Sequence, residues 1–362
     1  MTTRPVEVWT PGVGIPGFAA PRARRVEAEG WTGMGIVDSQ CLSGDPYVAA
    51  ALAGAATSTL KLATAVTNTA TRHPSVAATA AASVQAETGG RFVLGIGRGD
   101  SALAYIGLAP APPRQFERHL ERLQGYLSRE EVPFDLDTDA VNGLRSSETL
   151  HMDSEPTVSR LRWLRDDHPK VPIDVAASGP RVIEIAARHA DAITFAVGVD
   201  PQRLGWAVEH ARAARTAAGK DPATLGLGSY VPLFVHEDRA TARHMISGSV
   251  GSFARFSVMH GTVAGPVAES QRASLTAVHR AYDMTAHFTH GSPQSQALTD
   301  EVIDAFGIAG PASYCVERLL ELRAMGLSRF YLTGPGRGAD REESEASHRR
   351  IVDDVLPALL GA

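Results

Sequence analysis

The sequence predicts an α/β protein: a (β/α)8 TIM barrel carrying two insertions. Three observations point there. Short apolar runs alternate with longer helical patterns along the 362 residues, the rhythm of a parallel sheet wrapped in helices. Most runs are continuously apolar, as strands buried on both faces require. Eight such units fit this length and leave two polar stretches over, at about 128–170 and 236–310. The runner-up, a doubly wound open sheet, lacks a Gly-x-Gly-x-x-Gly opening its first helix. The chain is therefore expected to form a single barrel domain over residues 1–362.

The elements follow in order. Residues 6–9 form a strand, and 22–29 a helix that Gly30 stops. Residues 34–38 are the second strand. Asp45 then suits an N-cap, with Pro46 at the first helical position, where a missing N–H costs nothing. A strand at 60–67, an alanine-rich helix at 74–86 and a strand at 91–96 come next. The helix at 114–127 places Phe116, Leu120, Leu123 and Leu127 on one face. The first insertion includes a helix near 158–166. Strands at 171–177, 192–197 and 225–235 alternate with helices at 180–189 and 202–218. The second insertion holds helices near 241–258 and 267–287. A helix at 314–325, a strand at 330–333 and a helix at 344–360 close the chain.

Composition excludes several classes. Lys+Arg of 35 against Asp+Glu of 40 gives a net charge of −5, which offers nothing to nucleic acid. Two cysteines, Cys41 and Cys315, make neither a disulfide scaffold nor a zinc site. No His-x-x-x-His or carboxylate cluster at ligand spacing argues for a metal. The N-terminus has no apolar leader and no stretch is long enough for a bilayer. A cytoplasmic protein acting on a small molecule, without membrane or nucleic-acid partner, is expected.

In a barrel the site lies at the C-terminal ends of the strands. Ser178-Gly179-Pro180-Arg181 opens a helix, where free N–H groups and the positive dipole end favour an anion; a plain helix cap is the other reading. Gly95-x-Gly97-x-Gly99-Asp100 is a glycine-rich exit that lets backbone approach a planar ligand, with Asp100 positioned to move a proton; the alternative is a flexible turn with a surface aspartate. Arg72-His73-Pro74 sets a cation and an imidazole at a helix start, and His73 there either exchanges protons or merely packs. Arg72, Arg98 and Arg181 are cations available to an anionic cofactor or substrate.

Phe92-Val93-Leu94-Gly95-Ile96-Gly97-Arg98-Gly99-Asp100 and Ala176-Ala177-Ser178-Gly179-Pro180, with residues 30–38, 60–74 and 307–333, resemble the luciferase-like (bacterial luciferase superfamily) oxidoreductases. More narrowly, the chain resembles their coenzyme F-420-dependent branch, the methylenetetrahydromethanopterin reductase-like and sugar-phosphate dehydrogenase-like enzymes. That resemblance implies a bulge with a non-prolyl cis peptide behind the cofactor ring at Ala65-Val66. It further implies ring-edge hydrogen bonding by Asn68, a phosphate site at Ser178 and Gly179 flanked by Pro180, and a pocket lined by Asp38, Gly97 and Gly198. Asp100 falls where the sugar-phosphate enzymes hold a catalytic glutamate. Ser39 stands where those enzymes carry a catalytic histidine, which argues against sugar-phosphate oxidation and leaves Ser39, Arg72 and Arg98 as substrate-side residues. A homodimer is also implied.

The expected activity is hydride transfer between F-420, a deazaflavin, and an organic acceptor bearing C=C, C=N or C=O, with Asp100 as proton donor through a burial-raised pKa and His73 in reserve. Two alternatives stand beside it: an FMN-dependent monooxygenase using reduced flavin and oxygen, and a non-catalytic flavin-binding protein.

Overall fold

A computed structural model describes residues 4–135 and 146–361. Eight parallel staves close on one another. In chain order they are β1 (Glu7–Val13), β2 (Gly33–Val37), β3 (Lys61–Thr64) with its continuation β4 (Thr67–Asn68), and β5 (Phe92–Gly97). A small antiparallel pair follows, β6 (Val132–Pro133) with β7 (Val158–Ser159). Staves five to seven are β8 (Ile173–Ala177), β9 (Ala192–Phe195) and β10 (Gly226–Val235). β11 (Ile308–Gly310) pairs with the end of β10, and β12 (Arg329–Thr333) is the last stave. β12 lies between β10 and β1, so the sheet has no free edge. This is the expected (β/α)8 barrel.

Its interior is lopsided. Trp9, Tyr230 and Tyr331 fill one side, with ring centroids 6.5 Å apart for Trp9–Tyr331 and 5.1 Å for Tyr230–Tyr331. β2 faces them with glycines: a Cβ on Gly35 would stand 1.9 Å from the Tyr331 hydroxyl, which donates to the Gly35 carbonyl at 2.8 Å. At the N-terminal ends of the strands, Arg329 pairs with Glu7 at 2.9 Å and Asp174 at 2.7 Å, and Lys61 adds a second cation to Glu7.

Four local expectations change. The run at 60–67 is not one strand: it breaks after Thr64, passes through the cis peptide at Ala65–Val66 that the resemblance implies, and resumes as β4 against Ile96 and Gly97. The helix expected near 158–166 is β7 followed by turns, held in part by the Tyr126 hydroxyl on Ser159 at 2.6 Å. The closing helix runs Arg341–Arg350, widens to a π-turn over Ile351–Val355 and resumes at Leu356–Leu360. Pro357, which lacks the N–H that would continue the ladder, explains the widening. The second insertion contains helices Arg239–Phe256 and Glu269–Arg280 as expected, but also a short helix Asp300–Phe306 and β11. No helix of the described residues is long and apolar enough to cross a membrane.

Candidate active site

The exits of β2, β4 and β5 carry a dense polar network. Asp38, 5% exposed, accepts from Thr67 Oγ1 at 2.6 Å, Gln40 Nε2 at 2.8 Å and Arg72 at 3.0 Å. Arg72 also reaches Asp45 at 2.6 Å and lies over the Tyr47 ring. Arg72 is thus held between two carboxylates, and Asp45 doubles as the N-cap of helix Pro46–Ala55 through Tyr47 N and Val48 N. Asn68 spends its side chain on the neighbouring loops. Its Oδ1 accepts from Ala70 N, Thr71 N and Thr71 Oγ1, which shapes the loop, and its Nδ2 meets Gln40 at 3.3 Å.

His73 caps helix Pro74–Glu87, its Nδ1 bonding to Ser75 N at 3.2 Å and Ser75 Oγ at 2.7 Å. That is the packing reading of this histidine. Ser39 sits in a tight turn where Ser43 N reaches its carbonyl at 3.0 Å. Arg98 donates through Nε to the Ala111 carbonyl at 2.5 Å, which fixes the loop after β5. Asp100 precedes the short helix Ser101–Ala104 and is ion-paired with Arg255 of the second insertion. The Arg255 guanidinium thus occupies the Asp100 carboxylate, a partner the expected donor role did not include.

The inner faces of β3, β5 and β8 shrink toward the mouth. Ala65 packs with the Trp9–Tyr331 cluster, and Val66 lies beside Gly97, where a Cβ would come within 3.2 Å of Val66 Cγ2 and 3.9 Å of Ala176. Ala65, Val66 and Ala176 are partly exposed in otherwise buried strands, so they face open space at the mouth. Next to this shelf, helix Pro180–His189 begins at Gly179 without a side-chain cap, and a Cβ there would touch nothing within 4 Å. Ser178 and Gly179 are half-buried, and Pro180 and Arg181 are exposed at the same end. Gly198 behaves differently. With φ +92 it packs under the Ala305 carbonyl, which accepts from Val199 N and Asp200 N, and a Cβ would lie 2.6 Å from that oxygen. Its glycine is required by this backbone crossing, not by an open pocket.

Two buried hydroxyls at the mouth, Thr69 Oγ1 and Thr333 Oγ1, have no hydrogen-bond partner. The residues that sequence reasoning missed are Gln40, Thr67 and Arg255. Only Arg255 was beyond reach, since its partner Asp100 is 155 positions away. Glu117, Glu121 and His189 bring three ligand-type atoms together on the outer helices, but Glu117 is already paired with Arg188 at 2.6 Å and His189 at 3.1 Å. A groove of about 920 Å3 also lies on the outer helices, lined by Ala312, Val316, Leu320 and Asp354 and by none of the residues named above.

The sequence is 27% identical over 311 residues to the 5,10-methylenetetrahydromethanopterin reductase of Archaeoglobus fulgidus, covering 84% of each chain. It is 24% identical over 317 residues to that of Methanolobus tindarius, covering 86% of this chain and 89% of the relative. The fold matches the coenzyme F-420-dependent tetrahydromethanopterin reductase from Methanopyrus kandleri with a TM-score of 0.73 at 18% identity, over 98% of this chain and 100% of that one. The profile of the luciferase-like monooxygenase family matches residues 13–329, and the chain belongs to that family.

Proposed function

We propose that this chain is an oxidoreductase that uses coenzyme F-420 and moves a hydride between it and an organic acceptor bearing a C=C, C=N or C=O group. The observation that carries the reading is the small-residue shelf of Ala65, Val66, Gly97 and Ala176 beside the uncapped helix start at Ser178–Gly179. A planar ring fits against side chains of this size, and a phosphate fits against helix N–H groups that no side chain occupies. When bound, F-420 supplies a two-electron hydride carrier that reacts poorly with oxygen, because its reactive ring atom is carbon. The similarity to methylenetetrahydromethanopterin reductases in sequence, and in fold to the coenzyme F-420-dependent reductase from Methanopyrus kandleri, supports F-420 as the cofactor. The chain's own residues supply position: Asp38, Arg72 and Asn68 lock the loops after β2 and β4, so the Ala65–Val66 part of the shelf keeps its place.

Fluorescence titration with F-420 and with FMN tests this. Micromolar F-420 binding with FMN at least about 100-fold weaker supports the reading. The reverse order replaces it with the FMN monooxygenase. Binding of F-420 with no hydride transfer to any acceptor leaves a flavin-binding protein.

A further inference from the structure

The second insertion roofs the barrel mouth with aromatic side chains in unbroken contact. Tyr331, inside the barrel, tilts against Tyr230 at 5.1 Å, Tyr230 stacks on Phe253 at 5.5 Å, and Phe253 meets Phe288 edge-on at 5.5 Å. His287 packs against Phe288 at 5.1 Å, and its Nδ1 is hydrogen-bonded to the Tyr282 hydroxyl. Arg255 lies over the Tyr282 ring, 4.5 Å from its centroid, and pairs with Asp100 at the exit of β5. Ser252 Oγ is 3.5 Å from the Tyr282 hydroxyl and accepts from Phe288 N at 2.9 Å. The loop after β12 pins the same segment, since Arg337 donates to the His287 carbonyl at 2.9 Å.

With Asp100 neutralised by Arg255, the roof still holds two proton-bearing groups. Burial pushes the Tyr282 hydroxyl up to about 12. Burial, with the positive Arg255 and Arg337, pushes the His287 imidazole down to about 3. Both are neutral at pH 7, which makes a phenol donor with an imidazole behind it.

We propose that Tyr282, resupplied by His287 and braced by Arg255 on Asp100, is the proton donor at this mouth, and that it serves neutral unsaturated acceptors. The proposal rests on the F-420 reading for the source of hydride. When Nδ1–H of His287 donates to the phenol oxygen, the phenol hydrogen is held only by its long 3.5 Å bond to Ser252 Oγ and can turn from it to an acceptor. In the reduction of C=O or C=N, the carbon takes the hydride and the π pair moves to the heteroatom. The heteroatom takes the Tyr282 proton, the Nδ1 proton passes to the phenol oxygen, and His287 Nε2 takes a proton from water. Two electrons and two hydrogens enter the acceptor and the dyad returns to its starting charge. The Arg255 cation against the ring favours the phenolate that forms in passing. Asp100 cancels Arg255 beside Tyr282, and the remaining cation, Arg337, is exposed and donates to the His287 carbonyl. Among the described residues of this part of the roof no buried unpaired cation therefore waits for a phosphate, and a neutral acceptor suits the site better than a phosphorylated one.

The test uses the intact protein and Tyr282→Phe. Proton NMR of 15N-labelled protein, without cofactor, should show a strongly downfield Nδ1–H resonance that vanishes in Tyr282→Phe and in His287→Asn. With reduced F-420 and three neutral probes (cyclohexanone, a cyclic imine and cyclohex-2-enone), Tyr282→Phe should turn over at least about 100-fold more slowly. Its F-420 affinity should stay within about threefold of the wild type. Absence of the resonance, unchanged turnover in Tyr282→Phe, or a wild type that binds F-420 yet reduces none of the three probes overturns the donor role. A wild type that does not bind F-420 overturns the cofactor reading first and this proposal with it, so the binding titration tells the two failures apart.

Discussion

The two ends of the barrel are made by the same strands and treat polar groups in opposite ways. At the N-terminal end, Glu7, Lys61, Asp174 and Arg329 are drawn into one set in which each charge meets an opposite one, with Thr194 adding a hydrogen bond to Asp174 at 2.7 Å. At the C-terminal end, β3, β5 and β8 give way to Ala65, Gly97 and Ala176, two threonine hydroxyls are buried without a partner, and the buried Asp38 is paired with Arg72 beside them. Buried charge is therefore a poor marker of function in this molecule. A closed charged set lines the barrel floor, where barrel folds place stability, and what sets the mouth apart is missing side-chain volume.

The comparison breaks most visibly at Arg329. Arg329→Met leaves Glu7 and Asp174 facing each other with Lys61 as the remaining cation, and should lower unfolding free energy by about 3–5 kcal/mol. Urea denaturation measures this, and the folded fraction should bind F-420 as the wild type does. A loss under about 1 kcal/mol would mean that the floor is not a closed set.

At the mouth the opposite outcome is expected. Ala176→Leu fills partly exposed space on the shelf, so stability should change by less than about 1.5 kcal/mol. F-420 affinity should fall roughly 100-fold, close to 2.7 kcal/mol. Equal binding by variant and wild type would remove the shelf from the site.

Arg72 lies between these extremes. It stands at the mouth, yet its guanidinium is spent on Asp38 and Asp45. Arg72→Met should cost about 2–3 kcal/mol in denaturant, as loss of hydrogen bonds to buried charge does, with little change in acceptor specificity. A specificity change without a stability loss would restore Arg72 to the substrate side.

How much of this the sequence disclosed follows the range of the contacts involved. Continuous apolar runs and caps such as Asp45-Pro46 are local, so the order of strands and helices was readable from the chain. The shelf was readable because Gly97 and Ala176-Ala177-Ser178-Gly179 lie within single strand exits. The roles of Asn68, Arg72 and His73 were not, because each residue type suits a ligand as well as a loop, and only the folded backbone decides which donors come within reach. Gly198 misled for a similar reason: a glycine needed for approach to Ala305, over a hundred positions away, is spelled like one needed for a cofactor. The Asp100–Arg255 pair and the Tyr282–His287 dyad depend on where the second insertion folds back, which no periodicity encodes.

The smallest effect separates roof from wall by pH. His119 on helix Pro113–Leu127 is 7% exposed, and its Nε2 has no hydrogen-bond partner. Burial above all, with the nearby Arg122 cation, pushes its pKa down to about 3 from an ordinary 6.5. The folded-state value is depressed, so the unfolded chain takes the proton first as pH falls. The stability that His119 contributes is fully present above about pH 6.5 and is lost progressively toward pH 3. His287 at the roof follows the same sign and range. Between pH 7 and 5.5 each imidazole should therefore cost the wild type about 1 kcal/mol. His119→Leu should remove one such increment from the urea midpoint shift and leave F-420 binding unchanged across the same interval. His287→Asn should remove the other and slow turnover as well. If His287→Asn altered only the stability profile, the roof histidine would be a packing group like the one in the wall, and the difference between the two regions would lie in the shelf alone.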